Sequence, residues 1–307
     1  MRYFLLLPKI RIHNANAMSS PYSIGFPAMT AWLGGVHALQ RKLQALPEFA
    51  AVVLSKMAVS CHRLDLQTYR GSGDYVSSIV ATGNPLDKDG DRPAFIEEAR
   101  CHVEVSLLIE LAYWDPEYAE NLPETAKQLL QTMKLAAGDV LSLRDPEILY
   151  LDQDDYAADL HLIRQKLMLG HVLCERRRLL QDYVAAHPEQ DVLDALLAHV
   201  QIQHRVARDE AGEPVYIEKD KVKWEASRLQ AGWLVPIAVG FQGVSELGLA
   251  QNQRDSSTPH RFAESVLTLG EFVMPYRIRD INEILWQYHA DLENNLYVCQ
   301  TAVAELQ

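Results

Sequence analysis

The chain has 307 residues, 48% of them hydrophobic and 23% charged, which is ordinary for a globular protein with a sizeable core. Its formal net charge of -12 argues against a protein that coats nucleic acid without regard to sequence. No apolar run is long enough to cross a bilayer, and the N-terminal one is too short for a signal peptide and lacks a cleavage site, so we expect a cytoplasmic protein with no membrane partner.

The first half of the chain alternates strand-like and helix-like patterns. Periodicity and turn residues predict, in order, a strand at 3–13, a helix at 28–46, a strand at 51–69, a short returning strand at 75–83, a strand at 96–113, a helix at 124–136, and a strand with a turn at 137–151. This is the split βαβ order, shared by ferredoxin-like folds and RNA-recognition modules. We therefore predict an α+β protein with a ferredoxin-like (RRM-like) core at 1–150, although order alone indicates no function.

The second half has a different pattern. Two helices are predicted between 155 and 207 with a break at 187–190, which makes 151–207 a helical insertion. In the remainder, 208–307, we predict a polar loop at 208–231, a strand at 232–244 that returns to the core sheet, and helices at 262–270 and 279–290.

The N-terminal segment contains no acidic residue before Glu48, although it carries five Lys and Arg residues and two His. Such a segment can hold an anion, while chance or burial explains the pattern equally well. Within it, the uncharged stretch NANAMSSPYSIGFP at 14–27 links the first strand to the first helix. Its amide, hydroxyl and backbone N–H groups suit single-stranded RNA, and the alternative is a connection whose polar groups satisfy one another.

Motifs for catalysis or metal binding find little support. The chain has no G-x-S-x-G, Walker A or G-x-G-x-x-G motif. Its four cysteines form no CxxC pair, which fits a reducing cytoplasm. In Cys61-His62 and Cys101-His102, the two neighbouring side chains point to opposite faces of a strand and cannot bind one metal ion together. We therefore expect no metal and no cofactor.

The histidines of the first half and one run of arginines each have more than one interpretation. His13, His37, His62 and His102 can serve a ribonuclease only with a Lys or Tyr partner, and a mixture of core and surface histidines is the simpler interpretation. The ERRR run at 175–178 is placed on a helix, as a solvated face or a contact with nucleic acid or protein.

The segment LLLPKIRIHNANAMSSPYSIGFPAMTAWLGGVHALQRKL at 5–43 closely resembles a known family N-terminus. Similar segments follow in family order: CHR (61–63), GNPLDKDG (83–90), EEARCHVEVSLL (97–108), MKLAAGDVL (133–141), GWLVPIAVGF (232–241) and RDSSTPHRFAESVLTLGEF (254–272). The family is the second subunit of the type I-F CRISPR Csy surveillance complex, in the Cas-five group of guide-RNA-capping subunits. Residues 145–230 resemble it poorly.

The resemblance implies a non-catalytic role in antiviral DNA targeting. Such a subunit caps the 5′ handle of the crRNA, pairs with the large subunit and abuts the guide-coating backbone subunits, and the complex binds target DNA. The alternatives are a metal-independent endoribonuclease that processes precursor crRNA, and a protein-interaction module with incidental RNA contacts.

For the handle we nominate polar and basic residues of the N-terminal segment: Arg11, Asn14, Asn16, Ser19, Ser20, His37 and Arg41. A second group consists of basic residues inside the other matching segments: Arg63, Arg100, Arg254 and Arg261. Arg100 and Arg261 can equally form structural ion pairs with the acids around them.

Overall fold

The computed structural model describes residues 1–80, 86, 88–92, 98–118, 120–218, 221–253 and 255–302. The elements of the first half are β1 (Arg2–Asn16), β2 (Met18–Ser20), β3 (Ser23–Ile24), α1 (Met29–Gln44), β4 (Val53–Leu66), β5 (Thr68–Tyr69), β6 (Ser78–Ile79), β7 (Arg100–Tyr113), α2 (Asn121–Gln131), β8 (Lys134–Leu135), β9 (Gly138–Ser142) and β10 (Glu147–Leu151). The predicted strands at 3–13, 51–69 and 96–113 and the helix at 28–46 are confirmed.

The second half contains more strand than predicted. Its elements are α3 (Tyr156–Leu167), β11 (His171–Glu175), α4 (Arg177–Ala186), α5 (Val192–Val200), β12 (Gln203–Val206), β13 (Tyr216–Glu218), β14 (Lys221–Val222), β15 (Trp224–Ser227), β16 (Leu234–Gly243), β17 (Ala263–Val273), β18 (Trp286–Asp291) and β19 (Leu296–Thr301). Single-turn 3-10 helices lie at Pro47–Phe49, Pro116–Tyr118, Pro275–Arg277 and Ile281–Glu283.

Four predictions about this half are wrong, wholly or in part. The helix predicted at 262–270 is largely β17, and the helix predicted at 279–290 contains one 3-10 turn followed by most of β18. The first predicted helix after 155 is interrupted by β11. β11 and β17 pair with each other inside the sheet, and their apolar residues are buried on both faces. A continuous apolar run gives no period that separates a strand from a buried helix. The predicted loop at 208–231 also contains short paired strands.

One antiparallel sheet of eleven strands organises this mixed α+β fold. Its central strands lie in the order β4-β7-β1-β9, each antiparallel to its neighbours. The other edge of β4 pairs with β18 at Met57 and with β11 at Ser60 and Cys61. Because β11, β17, β16, β19 and β18 also pair in that order, these five strands and β4 form a closed ring of pairings.

The two faces of the central strands are covered differently. On one face, Leu5, Leu7, Ile10 and Ile12 of β1 pack against α1 and α2. On the other face, Phe4 and Leu6 pack against the buried side of α3. The register of β1 against β7 shifts between Leu7 and Ile10. Beyond this shift, β1 places Arg11 and His13 on the second face, where Phe4 and Leu6 lie before it. α3 therefore covers only half of the second face.

No described helix combines the length and apolar character needed to span a membrane.

Candidate nucleic-acid interface

The half of the second face beyond α3 is a polar surface formed by β1, β7 and β4. Arg11 of β1 and Arg63 of β4 both lie opposite Glu104 of β7, and Asp65 lies opposite His102. These residues and His13 line a cavity of about 250 Å³. We term the six residues Arg11, His13, Arg63, Asp65, His102 and Glu104 the open face.

The arginines of the open face are weakly engaged. Arg11 makes no ion pair or side-chain hydrogen bond with any other described residue. The guanidinium of Arg63 lies 3.5 Å from Asp65, with both side chains more than half exposed. Glu104 instead contacts Lys9, at 3.7 Å. Because exposed ion pairs contribute little free energy, Arg63 can exchange its contact with Asp65 for an anion, and Arg11 has no such contact to give up among the described residues.

Two imidazole rings are stacked beside the arginines. The ring centroids of His13 and His102 are 4.3 Å apart, with 19° between the planes. The backbone N–H of Asn14 donates to Nδ1 of His102 at 3.1 Å, and the side-chain oxygen of Asn14 accepts from Gln67 at 3.2 Å. Asn14 adopts a positive φ of 59°, which asparagine tolerates better than most residues. Asn14 thus holds the histidine pair in place.

The polar stretch after β1 folds into the β2–β3 hairpin and satisfies its own groups. The side chain of Asn16 donates to the carbonyl of Met18 at 3.2 Å and accepts from its N–H at 3.0 Å. Ser20 is only 5% exposed, and its hydroxyl lies 2.8 Å from that of Ser23, which also contacts Ser19 at 3.2 Å. These contacts correspond to the alternative of an internally satisfied connection.

His37 and Arg261 border a second feature, on the side of the sheet covered by α1. The rings of Tyr288, Tyr297 and Phe241 form a row with centroid spacings of 5.3 and 5.1 Å, termed the aromatic stack. His37 lines a cavity of about 320 Å³ with Tyr288 and Tyr297, and Arg261 lines one of about 540 Å³ with Tyr297 and Phe241. Arg41 follows His37 by one helical turn and is exposed. These residues do not meet Arg11 and Arg63.

The other predicted arginines are engaged or undescribed. Arg100 contacts the carboxylate of Glu98, which confirms the alternative of an ion pair, and its buried Nε has no partner among the described residues. Arg261 hydrogen bonds to Asn295, so its predicted ion pair is replaced by an amide contact. Arg254 lies outside the described residues.

The ERRR run does not form a solvated helix face, because β11 ends at Glu175 and α4 starts at Arg177. Arg176 Nε donates to Glu271 of β17 at 2.7 Å. Arg177 lies 3.6 Å from Glu175, whose pKa is raised by burial. These two arginines link the start of α4 to strands β17 and β11 of the sheet.

Burial keeps the cysteines and His62 uncharged. It raises the pKa of the Cys61 thiol to about 12 and that of Cys101 to about 11. Burial also lowers the pKa of His62 to about 4, and its Nε2 lies 2.8 Å from the hydroxyl of the fully buried Ser106. Among the described residues, no three of His, Cys, Asp and Glu are grouped so that they could hold a metal ion.

Sequence reasoning missed the histidine pair and the aromatic stack. It treated His13 and His102 as separate acid-base candidates. Side chains alternate between the two faces of a strand, so the spacing of Arg11 and His13 in β1 predicts that they share a face, and the sequence could have grouped them. The aromatic stack depends on pairings among β16, β19 and β18, and part of β18 was predicted to be helical.

Comparisons with known proteins agree with the resemblance of the N-terminal segment. The family model described as CRISPR-associated protein (Cas_Csy2) matches residues 5–299. A Pseudomonas aeruginosa (strain UCBPP-PA14) protein named CRISPR-associated protein Csy2 is 34% identical over 315 aligned residues, which cover 95% of this chain and 93% of the relative. The match includes residues 145–230, where the sequence resemblance was poor. The chain belongs to the Csy2 family, the second subunit of the type I-F CRISPR Csy complex.

Proposed function

We propose that the chain is a non-catalytic RNA-binding subunit that holds the 5′ handle of the crRNA on its open face. The observation that carries the proposal is a pair of weakly engaged arginines, Arg11 and Arg63, beside the stacked rings of His13 and His102. Guanidinium groups bind phosphates, and flat rings on the central strands of RNA-recognition sheets stack unpaired bases.

The topology supports this placement. The strand order β4-β7-β1-β9, with α1 and α2 on one face, supports a ferredoxin-like, RRM-like core within residues 1–150. In that arrangement β1 and β7 are the central strands, and they carry Arg11, His13 and His102. We also propose the division into this core, an insertion at 151–207 and a C-terminal part at 208–307.

The charge distribution fits a subunit that grips one short RNA segment. The net charge is -12, yet the open face has two arginines against Asp65 and Glu104, and Lys9 beside Glu104 adds a further positive charge with Arg144 close to it. The acidic remainder suits basic partners. We propose that these are the large subunit of the complex and the guide-coating backbone subunits, and that the chain meets target DNA only within the complex.

The endoribonuclease alternative gains no support from the surroundings of the histidines. The cavity beside His37 offers Tyr288 and Tyr297 as possible partners, and burial raises the pKa of both hydroxyls. A phenol with a raised pKa is a poorer acid or base near neutral pH. Incubation of the chain with precursor crRNA tests the alternative, because specific cleavage lost in a His37→Ala variant would establish it.

Binding measurements on the chain purified with its large subunit test the proposal. We expect tighter binding to the authentic handle than to a scrambled one at every salt concentration. The Arg11→Ala/Arg63→Ala variant should weaken binding and reduce the slope of log K against log salt by about 1.4, since each lost contact with a single strand removes ~0.7. The matched control is Arg205→Ala/Arg208→Ala, which removes the same charge from exposed sites elsewhere.

Two results would contradict the proposal. One is equal affinity for the authentic and scrambled handles. The other is an equal loss of binding in the open-face variant and the control variant, because a loss that depends only on net charge assigns no role to the open face.

A further inference from the structure

The aromatic stack ends in an exposed ring. Phe241 lies directly opposite Tyr297 across β16 and β19, with 23° between the rings. At the other end, the ring of Tyr288 lies 5.3 Å from that of Tyr297, with 34° between the planes. Phe241 is 48% exposed, so the side of its ring that faces away from Tyr297 is available to a ligand.

The cavity of about 540 Å³ beside Phe241 has a polar rim. Arg261 lies across Gly243, where a Cβ would be 2.6 Å from Cδ of the arginine, and its guanidinium bonds to Asn295. Asp291 completes the rim, and hydrogen bonds from Asn294 lower the pKa of its carboxyl. The rim thus offers a donor-only group, an acceptor-only group and an amide that is both.

This combination suits a nucleobase better than a phosphate or an apolar protein side chain. A base has a flat face that extends an aromatic stack and an edge that carries both donors and acceptors. One arginine and one aspartate leave the rim electrically balanced, so it has no excess of positive charge to attract a phosphate. An apolar side chain would use none of the hydrogen-bonding capacity that Arg261 and Asp291 retain beyond their bonds to Asn295 and Asn294.

The cavity shares one lining residue with the cavity beside His37, a predicted RNA contact. Tyr297 lines both this cavity and the one beside His37 on α1. Arg41 and Lys42, which are exposed, follow on the same helix. The helix that carries His37 thus also carries two exposed cationic groups.

We propose that the cavity between Phe241 and Arg261 binds one unpaired nucleobase of single-stranded RNA, which stacks on Phe241 and bonds to the rim of Arg261, Asn295 and Asp291. The proposal rests on the RNA-binding function proposed above but uses a different surface, on the α1 side of the sheet.

A pair of Phe→Leu variants tests the proposal in the chain purified with its large subunit. Phe241→Leu removes the stacking ring, and Phe262→Leu is the matched control, since Phe262 is 68% exposed but does not line the cavity. The probes are handle RNAs with 2-aminopurine at successive positions. We expect Phe241→Leu to weaken binding about 5- to 150-fold with an unchanged salt slope, and to relieve the quenching of one probe.

A second variant guards against a folding defect. Arg261→Met keeps the length of the side chain and removes its donors, so it should alter the preference among bases at the quenched position with a smaller loss of affinity. The melting temperature of each variant complex is recorded alongside.

Several results would overturn the proposal. Binding by Phe241→Leu that equals wild type or the Phe262→Leu control would do so. Loss of the large subunit during purification of Phe241→Leu, with RNA affinity unchanged, would instead make the surface a protein interface. If the open-face proposal is wrong, the result is different: the Arg11→Ala/Arg63→Ala variant binds the handle as tightly as wild type, while Phe241→Leu still weakens binding.

Discussion

Trp286 closes the ring of strand pairings, and its replacement by phenylalanine measures how much that closure stabilises the fold. Trp286 is fully buried and lies opposite Met57 of β4 and Thr301 of β19. Its indole N–H donates to the carbonyl of Leu173 in β11 at 2.9 Å. The backbone of Trp286 therefore pairs with two strands of the ring, and its side chain hydrogen bonds to a third.

The expected loss has two parts. Phenylalanine leaves the buried Leu173 carbonyl without its donor, which costs about 1–3 kcal/mol. The smaller ring also leaves a void, which adds about 1 kcal/mol. The total of about 2–4 kcal/mol corresponds to a fall in melting temperature of about 4–8 °C, at ~2 °C per kcal/mol for a chain of this size.

Thermal unfolding followed by circular dichroism provides the assay. Trp224→Phe is the control, because Trp224 is 60% exposed on the short strand β15. It should shift the melting temperature by less than about 1 °C, as surface substitutions usually do. Equal shifts for the two variants would refute the role of Trp286 in closing the ring.

Three further predictions concern buried contacts in the fold. Gly138→Ala should destabilise the chain by about 1–3 kcal/mol in urea unfolding, because its Cβ would lie 2.7 Å from the carbonyl oxygen of His13; Gly248→Ala, with no atom within 4 Å, should be neutral. Arg176→Ala should cost about 1–3 kcal/mol by leaving the buried Glu271 carboxylate without its cation, and equal stability of Arg176→Ala and Arg178→Ala would contradict this. The pKa of His62 is about 4 in the folded chain, against an ordinary value of 6.5. As the pH falls from 6.5 to 4, His62 is protonated in the unfolded chain but stays neutral in the folded chain. The folded state therefore loses stability over this range, and the urea midpoint should fall. His62→Gln should flatten that dependence, whereas the exposed control His204→Gln should retain it.

The sequence predicted the elements that keep a clear period along at least part of their length. β1 and β7 are buried on both faces along one half and alternate along the other, α1 buries one face, and the positions of these elements and β4 agree with prediction. β11 and most of β17 were predicted as helix, since strands that are buried on both faces lose the alternation that identifies them. Only the long-range pairing of β11 with both β4 and β17 explains their state.

The candidate site was predictable residue by residue but not as an arrangement. Charge and turn composition selected Arg11, Asn14 and Arg63, and strand register brings Arg11 and Arg63 to one surface. The same composition selected Ser20, whose burial in the β2–β3 hairpin depends on a contact with Ser23 that no local pattern encodes. Sequence grouped His37 with Arg11, while the fold places them on opposite sides of the sheet.

Ultraviolet cross-linking of the crRNA to the intact complex, followed by mass spectrometry of the cross-linked peptides, tests the central claim most directly. We expect handle nucleotides to be attached to β1 near His13 and to β7 near His102, the stacked pair of the open face. Cross-links confined to other segments of the chain, with none in β1 or β7, would contradict it.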